Sequence, residues 1–591
     1  MPHTYILGIN AYHGDVSAVL LKDGEVVAAL EEERFRRIKH YAGFPTESIR
    51  RCLAMAGIEG REVAHVAVSR DPRAHLLRKA AAVLRHRPSA PLVRDRLANR
   101  KKVREVRAPL AEALGLPEER LPRLHFVEHH LAHLASAFFV SPFDEAAVCA
   151  LDGFGDFVST SRAAGRANRL ERLGNTYFPH SLGLLYTAVT QYLGFHGYGD
   201  EFKVMGLAPY GEPAYVDEVA RLIELLPGGQ FRLNLRYFRH HTEGVEMEWD
   251  EGYPSLGLVF SARMAEALGP PRRPEEPLEK RHEDLARSLQ AVYERAAFHV
   301  LSGLYAQTRQ KNLCLAGGCA MNSVANGKIR EATPFEAVYV QPAAADSGTA
   351  LGAACSVWHQ VLGHPRRFEM AHGYWGTAYP TNGLAEQVAA RRDAEWTYEV
   401  RALGDEEAVC REAARLLAEG NVVGWYQGRM EWGARALGNR SILADPRRAD
   451  MRDLINTKIK FREKFRPFAP SILEERLDDY FEGAAPDPFM QQVYPIREEK
   501  QKEIPAVTHV DGTGRLQTVN AETNPRYYRL IRAFEQETGV PVVLNTSFNE
   551  NEPIVDTPEQ ALDCFLRTRM DALVVNDLII RRFPKPPGNA S

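Results

Sequence analysis

The stretch Val127-Glu128-His129-His130-Leu131-Ala132-His133-Leu134 carries apolar residues at helical spacing, and neither Gly nor Pro interrupts it or the residues up to Phe139. We therefore predict a partly buried helix. His129 and His133 are four residues apart, so they share one face with Cβ atoms about 5–6 Å apart, while His130 points elsewhere. This pair predicts a metal site that carboxylates or water complete. The alternative is that one histidine caps or packs and the others are solvated.

The segments on either side of this helix share one plan of a strand, a polar turn and a returning strand. The first copy begins with the strand Tyr5–Asn10, and its returning strand is followed by a third antiparallel strand. The second copy begins with the strand 146–151. The equivalent positions are Asn10 with Asp152, and Asp15 with Asp156. Such an internal repeat predicts one domain built of two similar halves with a cleft between them.

Acidic residues at strand ends are candidates for the remaining metal ligands. Asp152 ends a strand, and Asp346 lies in the turn Ala345-Asp346-Ser347-Gly348 after another strand. Taken alone, either residue could be a plain turn former. We expect Asp346 to be a third ligand and Asp152 a fourth, bound directly or through water. Gly317-Gly318 follows a further strand, and its glycines would let a ligand approach the backbone.

Length and composition limit the class of protein. A chain of 591 residues exceeds one hydrophobic core, so we expect two large domains or several small ones. The seven cysteines form no C-x-x-C pair, which is typical of reduced cytoplasmic thiols. We find no secretory leader and no apolar run near the ~20 residues of a membrane helix, so we expect a cytoplasmic protein with no membrane partner. P-loop, nucleophile-elbow and Rossmann motifs are absent, which argues against the corresponding enzyme classes.

Charge is unevenly distributed, although the net charge is only −3. Residues 73–107 hold twelve Lys or Arg against Asp95 and Glu105, a local excess of +10. Such a segment could steer an anionic ligand or nucleic acid. Alternatively, it is a solvated helical excursion with Leu and Val packed on one side and Arg outward. We favour the second interpretation and do not expect nucleic acid as a partner.

Composition changes near residue 365, so we predict domains at 1–364 and 365–591. In the second domain, five cations alternate with other residues, and an extended segment would place them all on one face. They are Lys458, Lys460, Arg462, Lys464 and Arg466. Five like charges on one face need a compensating anion, and three arginines within 429–440 strengthen the case for a phosphate-rich ligand. The alternative is an edge strand that uses its charges to resist aggregation.

The order and number of these motifs resemble those of the O-carbamoyltransferases of the NodU/CmcH type, the family that includes tobramycin carbamoyltransferase. The matching segments cover nearly the whole chain, and they are 8–10 with His13 and Asp15, 31–39, 128–133, 199–206, Gly317-Gly318 with Asn322, 345–348, 433–441, 460–470 and 544–549. One departure is Gly14 between His13 and Asp15, which many members place directly next to each other.

The resemblance implies an α/β protein with a two-lobed actin-like ATPase-type domain, similar to the tRNA threonylcarbamoyl-transferring enzymes, followed by a YrdC-like domain. It also implies two reactions. In the YrdC-like domain, carbamoyl phosphate and ATP with Mg²⁺ would give carbamoyl adenylate and pyrophosphate. In the actin-like domain, a hydroxyl of a small molecule would take the carbamoyl group and AMP would leave. The acceptor would be a natural product or sugar, as in antibiotic biosynthesis.

Roles for individual residues of the first domain also follow from the resemblance. The metal, favoured as Fe(II), would be bound by His129, His133, Asp346 and Asp152, although zinc and manganese suit the same donors. The catalytic candidates are His13 as general base for the acceptor hydroxyl, Asp15 on the same turn, and Lys39, which would contact the reacting group or close the site. Gly317, Gly318 and Asn322 would hold the adenosine.

In the second domain, Arg440, Lys460 and Arg515 would neutralise the triphosphate and carbamoyl phosphate, and Ser547 would hydrogen-bond a phosphate or the carbamate. Two other functions compete with this one. An actin-like kinase or ATPase would make ADP and have no use for the cationic face. A tRNA-modifying carbamoyl-adenylate enzyme would use the basic segment to bind RNA. We also allow for a homodimer.

Overall fold

The computed structural model describes residues 3–86, 89, 105–243, 247–248, 252–391, 393 and 395–585. The chain divides into two compact units, Met1–Met370 and Ala371–Ser591. Each combines sheets with helices, as expected for an α/β protein. None of the helices in the described ranges has the length and hydropathy that a bilayer crossing requires.

Two five-stranded sheets form the framework of the first unit. Its strands are β1 (Tyr5–Asn10), β2 (Ser17–Lys22), β3 (Glu25–Glu31), β4 (Val63–Val68), β5 (Arg123–Phe126), β6 (Glu145–Gly155), β7 (Val158–Arg166), β8 (Arg169–Tyr177), β9 (Ile223–Leu226), β10 (Gln230–Leu233), β11 (Met247–Glu248), β12 (Ser255–Leu256), β13 (Asn312–Ala316) and β14 (Ala337–Val340). The strands β9 to β12 form two small two-stranded sheets.

The two large sheets confirm the internal repeat. Their orders are β3-β2-β1-β4-β5 and β8-β7-β6-β13-β14. In each sheet the first three strands of that order pair antiparallel, and the remaining pairs are parallel. Asn10 is the last residue of β1. Asp152, its equivalent in the second sheet, lies near the end of β6. Parallel central strands bring such residues to one edge of each sheet, where a site can form.

Helices cover these sheets and connect their strands. In the first unit they are α1 (Glu33–Arg36), α2 (Thr46–Ala56), α3 (Leu76–His86), α4 (Arg107–Leu114), α5 (His129–Phe138), α6 (Leu182–Tyr192), α7 (Glu201–Leu207), α8 (Val216–Ala220), α9 (Met264–Leu268), α10 (Lys280–Thr308), α11 (Ser323–Gly327), α12 (Ile329–Ala332) and α13 (Gly348–Ser356). The predicted histidine helix is α5, and all its residues except Leu131 are buried. It is thus more deeply buried than its sequence indicates.

Helix α5 lies very close to α13. An ideal Cβ added to Gly352 of α13 would stand 1.7 Å from the carbonyl oxygen of Ala132 on α5. Likewise, a Cβ on Gly8 of β1 would stand 1.9 Å from the carbonyl oxygen of Ala350. Only hydrogen fits at either glycine, so β1, α13 and α5 are brought together by residues without side chains.

The second unit is built on one nine-stranded mixed sheet of order β15-β23-β22-β16-β17-β21-β18-β20-β19. Its strands are β15 (Trp396–Ala402), β16 (Val423–Tyr426), β17 (Arg440–Ala444), β18 (Ala469–Leu473), β19 (Gln492–Pro495), β20 (Thr513–Val519), β21 (Val542–Ser547), β22 (Ala572–Val575) and β23 (Leu578–Pro584). Its helices are α14 (Leu384–Ala390), α15 (Glu406–Ala418), α16 (Met451–Lys458), α17 (Leu477–Tyr480), α18 (Glu498–Gln501), α19 (Pro525–Thr538) and α20 (Pro558–Arg567).

The prediction of an extended cationic segment at 458–466 is wrong. Lys458 ends α16, and the following residues form turns in which Phe461 has a positive φ of 44°. Met451, Ile455 and Ile459 are fully buried at a spacing of four residues. This helical apolar period outweighs the alternation of the charges, so the five cations do not share one face.

The basic segment 73–107 also differs from its prediction where it is described; residues 87–88 and 90–104 lie outside the described residues. Helix α3 buries none of its residues, and Leu77 and Leu84 are 89% and 79% exposed. The helix instead contacts the rest of the unit through a charged side chain, because the Arg78 guanidinium lies 4.0 Å from the ring centre of Tyr177. The Leu residues therefore do not pack inward as expected.

The close approach of α13 to α5 predicts a stability defect. In Gly352→Ala, the new methyl group would overlap the Ala132 carbonyl, and overpacking of this kind typically costs about 1–3 kcal/mol. We expect a lower midpoint of thermal unfolding by differential scanning calorimetry. Gly153→Ala is the matched control, since a Cβ there meets no atom within 4 Å. Equal midpoints for the two variants would contradict the prediction.

Candidate active site

The first turn of α5 is fixed by two carboxylates. Glu128 caps the helix, and its side chain accepts hydrogen bonds from the backbone N–H groups of His130 and Leu131. Oδ2 of Asp156 accepts a bond of 3.0 Å from the backbone N–H of His129. Asp156, the repeat equivalent of Asp15, thus positions the helix start. These contacts place the imidazole of His129 at the edge of the second sheet.

Four side chains meet beside this helix end, as the sequence predicts. The Nε2 atoms of His129 and His133 are 3.0 Å apart. Oδ1 of Asp346 lies 3.5 Å from the first of these atoms and 3.4 Å from the second. Oδ2 of Asp152 lies 3.5 Å from Nε2 of His129. All four residues are buried, and their ligand atoms lie within 4.8 Å of one another.

These distances fit a bound metal ion. Donors about 2.1 Å from a common ion stand roughly 3.0–3.4 Å apart in octahedral or tetrahedral geometry. Two imidazoles and two carboxylates are a donor set that Fe(II), zinc and manganese all accept. His130, by contrast, directs Nε2 to the carbonyl oxygen of Val158 at 2.9 Å. It therefore stands outside the cluster, as its position on the helix predicts.

The charges of the cluster stabilise one another. Burial opposes ionisation, but the neighbouring histidines outweigh it and hold the pKa values of Asp152 and Asp346 below their usual range. In return, the two carboxylates overcome the effect of burial and raise the pKa of His129. Burial alone dominates at His130, whose pKa falls to about 3. The site is thus electrostatically prepared for a cation.

Glycines support two of the ligands. An ideal Cβ on Gly155 would lie 1.9 Å from Cδ2 of His129, so the imidazole fits only against a residue without a side chain. The backbone N–H of Gly318 donates a bond of 2.8 Å to Oδ1 of Asp152. Gly317 has a φ of 93° that favours glycine. The Gly317-Gly318 turn therefore holds the carboxylate of Asp152 in place.

Asn322, expected to hold adenosine, is engaged in hydrogen bonds within the protein. Its side-chain oxygen accepts from the backbone N–H of Ala325 and from Gln290, and its side-chain nitrogen donates to Gln290 at 3.0 Å. The amide thus caps α11 and joins it to α10.

The three catalytic candidates occupy different places. Nδ1 of His13 contacts Oδ2 of Asp346, so this imidazole adjoins the metal cluster. Burial and the charge of Arg70 lower the pKa of His13, which favours the neutral form that a general base requires. Asp15 faces the other way, and its Oδ1 lies 2.7 Å from Nδ1 of His40. The charge of Lys39 acts on His40 and Glu33.

Two residues near the catalytic candidates are absent from the sequence-based list: Arg70, whose charge acts on His13, and His40, which contacts Asp15. The positions of both residues in the sequence could have indicated a role. Arg70 lies just beyond the end of β4, and His40 directly follows Lys39. Burial opposes the charged form of His40, but Asp15 and Glu33 raise its pKa to about 9. A strand-end position and an adjacent charged run are the signals that could have identified them.

In the second unit, four arginines gather around one another. Burial, followed by the charges of Arg435, Arg462 and Arg466, holds the pKa of Arg515 well below its usual range. Asp487 interacts with Arg435 and Arg515, and burial raises its own pKa to about 7. Within the described residues, the buried Nε atoms of Arg435 and Arg515 have no hydrogen-bond partner. Such an excess of positive charge favours a bound polyanion.

The other predicted nucleotide-binding residues form hydrogen bonds within the protein. Nζ of Lys460 donates to the backbone oxygen and side-chain oxygen of Ser547 and, at 2.6 Å, to Oδ1 of Asn549. The guanidinium of Arg440 donates to the carbonyl oxygens of Gln427 and Gly428 and lies 3.6 Å from the ring centre of Tyr426. Only Arg515 of the predicted set belongs to the arginine cluster.

Comparison with known proteins gives consistent results. The family model described as Carbamoyltransferase N-terminus matches residues 5–355, and that described as Carbamoyltransferase C-terminus matches residues 414–582. The uncharacterized protein sll1178 of Synechocystis sp. is 43% identical over 99% of this chain and 97% of its own length. The nodulation protein NolNO of Sinorhizobium fredii is 41% identical over 98% of this chain and 80% of its own.

Solved structures resemble the chain only weakly. The crystal structure of T. kodakarensis HypF aligns with 16% identity and a TM-score of 0.31, covering 61% of this chain and 48% of that one. A likeness at this level carries no argument about the site.

The cluster predicts selective loss of metal binding on ligand removal. In His133→Ala, one of four donors is lost, and we expect affinity for Mn²⁺ or Zn²⁺ to fall by about 100-fold or more in isothermal titration calorimetry. His65→Ala is the control, since this half-buried imidazole contacts His125 outside the cluster. Unchanged affinity in His133→Ala would exclude the assigned ligand.

Proposed function

The chain belongs to the carbamoyltransferase family, and we propose that it transfers the carbamoyl group in two ATP-dependent steps, through carbamoyl adenylate, to a hydroxyl of a small molecule. The transfer activity follows from family membership. The observation that carries the two-step proposal is that each unit contains one buried cluster with chemistry suited to one step. These are the metal-binding cluster of the first unit and the arginine cluster of the second.

The first step would take place in the second unit. There, carbamoyl phosphate and ATP would react to give carbamoyl adenylate and pyrophosphate. Both substrates carry several negative charges, and guanidinium groups bind phosphate oxygens in a bidentate manner. The four clustered arginines, with the carboxyl groups of Asp487 and Glu463 nearby, would supply the positive charge that this reaction requires. Lys460 would act indirectly, by holding Ser547 and the following turn.

The second step would take place in the first unit. A metal ion on His129, His133, Asp152 and Asp346, for which we propose Fe(II), would act as a Lewis acid. His13 would act as the base that takes the proton of the acceptor hydroxyl, and the contact of its Nδ1 with Asp346 would orient the imidazole. Gly318 would assist by fixing the carboxylate of Asp152. We propose a natural product or sugar as the acceptor.

The two-step proposal predicts that pyrophosphate exchange into ATP depends on carbamoyl phosphate and needs no acceptor. We expect Arg515→Ala to reduce this exchange by about 100-fold, because removal of one preorganised charged donor costs about that much. Arg411→Ala is the control, since its side chain is 55% exposed on α15. Exchange is measured with radiolabelled pyrophosphate.

Pyrophosphate exchange also distinguishes the reaction proposed for the second unit from the one proposed for the first. His133→Ala should retain full exchange while losing carbamoyl transfer, because its defect lies in the metal cluster. ADP formation without exchange would overturn the adenylate step and favour a kinase or ATPase instead.

A further inference from the structure

The turn between β1 and β2 presents functional groups in two directions. His13 contacts Asp346 of the metal cluster, whereas Asp15 pairs with His40. Between them is Gly14, whose backbone carbonyl accepts a bond of 3.1 Å from the side chain of Asn10. The side chain of Asn10 also donates to the carbonyl of Asp15 at 3.1 Å, so the turn is held rigidly at the end of β1.

Tyr198 approaches this turn at its one position without a side chain. An ideal Cβ on Gly14 would stand 2.7 Å from the Tyr198 hydroxyl oxygen. The phenol ring meets the His40 ring edge-on, with centroids 5.4 Å apart and an interplanar angle of 72°. The Tyr253 hydroxyl donates a bond of 2.9 Å to the Tyr198 carbonyl oxygen, which fixes the backbone. Tyr198 is thus oriented toward the turn by several independent contacts.

The electrostatic surroundings locate this phenol between the two sides of the turn. Burial, and then the charges of Asp15, Asp346 and Asp152, raise the pKa of Tyr198 well above its usual value. The phenol is therefore within electrostatic reach of Asp15 and of the cluster carboxylates Asp346 and Asp152. It also keeps its proton throughout the neutral pH range and remains a donor.

We propose that Tyr198 is a further active-site residue, whose hydroxyl donates a hydrogen bond to the oxyanion formed during carbamoyl transfer. This inference rests on the proposed function. The acceptor oxygen would bond to the carbamoyl carbon, its proton would pass to Nε2 of His13, and the C=O electron pair would move onto the carbonyl oxygen. That pair would then return as the bond to the AMP phosphate oxygen breaks.

A donor is needed here for a physical reason. Four carboxylates act electrostatically on the phenol, those of Asp15, Asp346, Asp152 and Glu201, and each would repel negative charge that develops on the carbonyl oxygen. A preorganised O–H group in a buried site offsets this repulsion without reorganisation during the reaction. The imidazole of His40, with its raised pKa, adds positive charge on the Asp15 side.

Tyr198→Phe tests the proposal with methanol as the acceptor. The protein is supplied with ATP, carbamoyl phosphate and Mn²⁺, and methyl carbamate and AMP are measured. We expect kcat to fall by about 100-fold, as for the loss of one oxyanion donor, while KM for methanol and pyrophosphate exchange stay within about twofold of wild type. Tyr305→Phe is the matched control, because that half-buried ring packs on Phe335. Equal thermal midpoints and Mn²⁺ affinities exclude a folding defect.

A double-mutant cycle with Gly14→Ala gives a second, independent test. The added methyl group would displace the phenol, so this variant should lose a similar factor in kcat, with no further loss when it is combined with Tyr198→Phe. Additive losses, or a loss confined to KM, would overturn the proposal. Unchanged kcat in Tyr198→Phe would overturn this inference alone. Absence of carbamoyl-phosphate-dependent pyrophosphate exchange from the wild-type protein would instead overturn the proposed function, and this inference with it.

Discussion

In the first unit, two imidazole nitrogens and two carboxylates share a buried volume in which their ligand atoms lie within 4.8 Å of one another. Charges buried this closely are tolerated only when they compensate one another or bind a cation. Much of the surrounding structure serves that requirement. Glu128 and Asp156 fix the start of α5, Gly155 makes room for an imidazole, and Gly318 holds Asp152. Two strands of the second sheet deliver the carboxylates to the same place, because Asp152 lies near the end of β6 and Asp346 follows β14.

These ligands could be predicted from the sequence because each depends on short-range geometry. Helical periodicity places His129 and His133 on one face and turns His130 away, and the structure agrees. The repeated strand and turn plan marks Asp152, and the corresponding sheet orders confirm that plan. Asp346 follows from its position after a strand. Depth of burial was underestimated, because it depends on how closely α13 approaches α5, which no local pattern reveals.

Predictions that depended on long-range contacts were less successful. The alternating cations of 458–466 indicated a strand, but the buried series Met451, Ile455 and Ile459 produces a helix followed by turns. The inference of an excess positive charge was nevertheless sound, since Arg462 and Arg466 join Arg435 and Arg515 from distant segments. Tyr198 was missed because its significance arises only when the chain brings it to the turn at Gly14.

The spread of the four clustered donors along the chain, from His129 to Asp346, has a thermodynamic consequence. An unfolded chain cannot hold these donors together, so an ion held by all four would bind the native state far more tightly than the unfolded one. By mass action, a free ion at 100 times its dissociation constant would add about 2.7 kcal/mol to the free energy of unfolding. Chelation of such an ion would lower the stability of the first unit and favour its proteolysis.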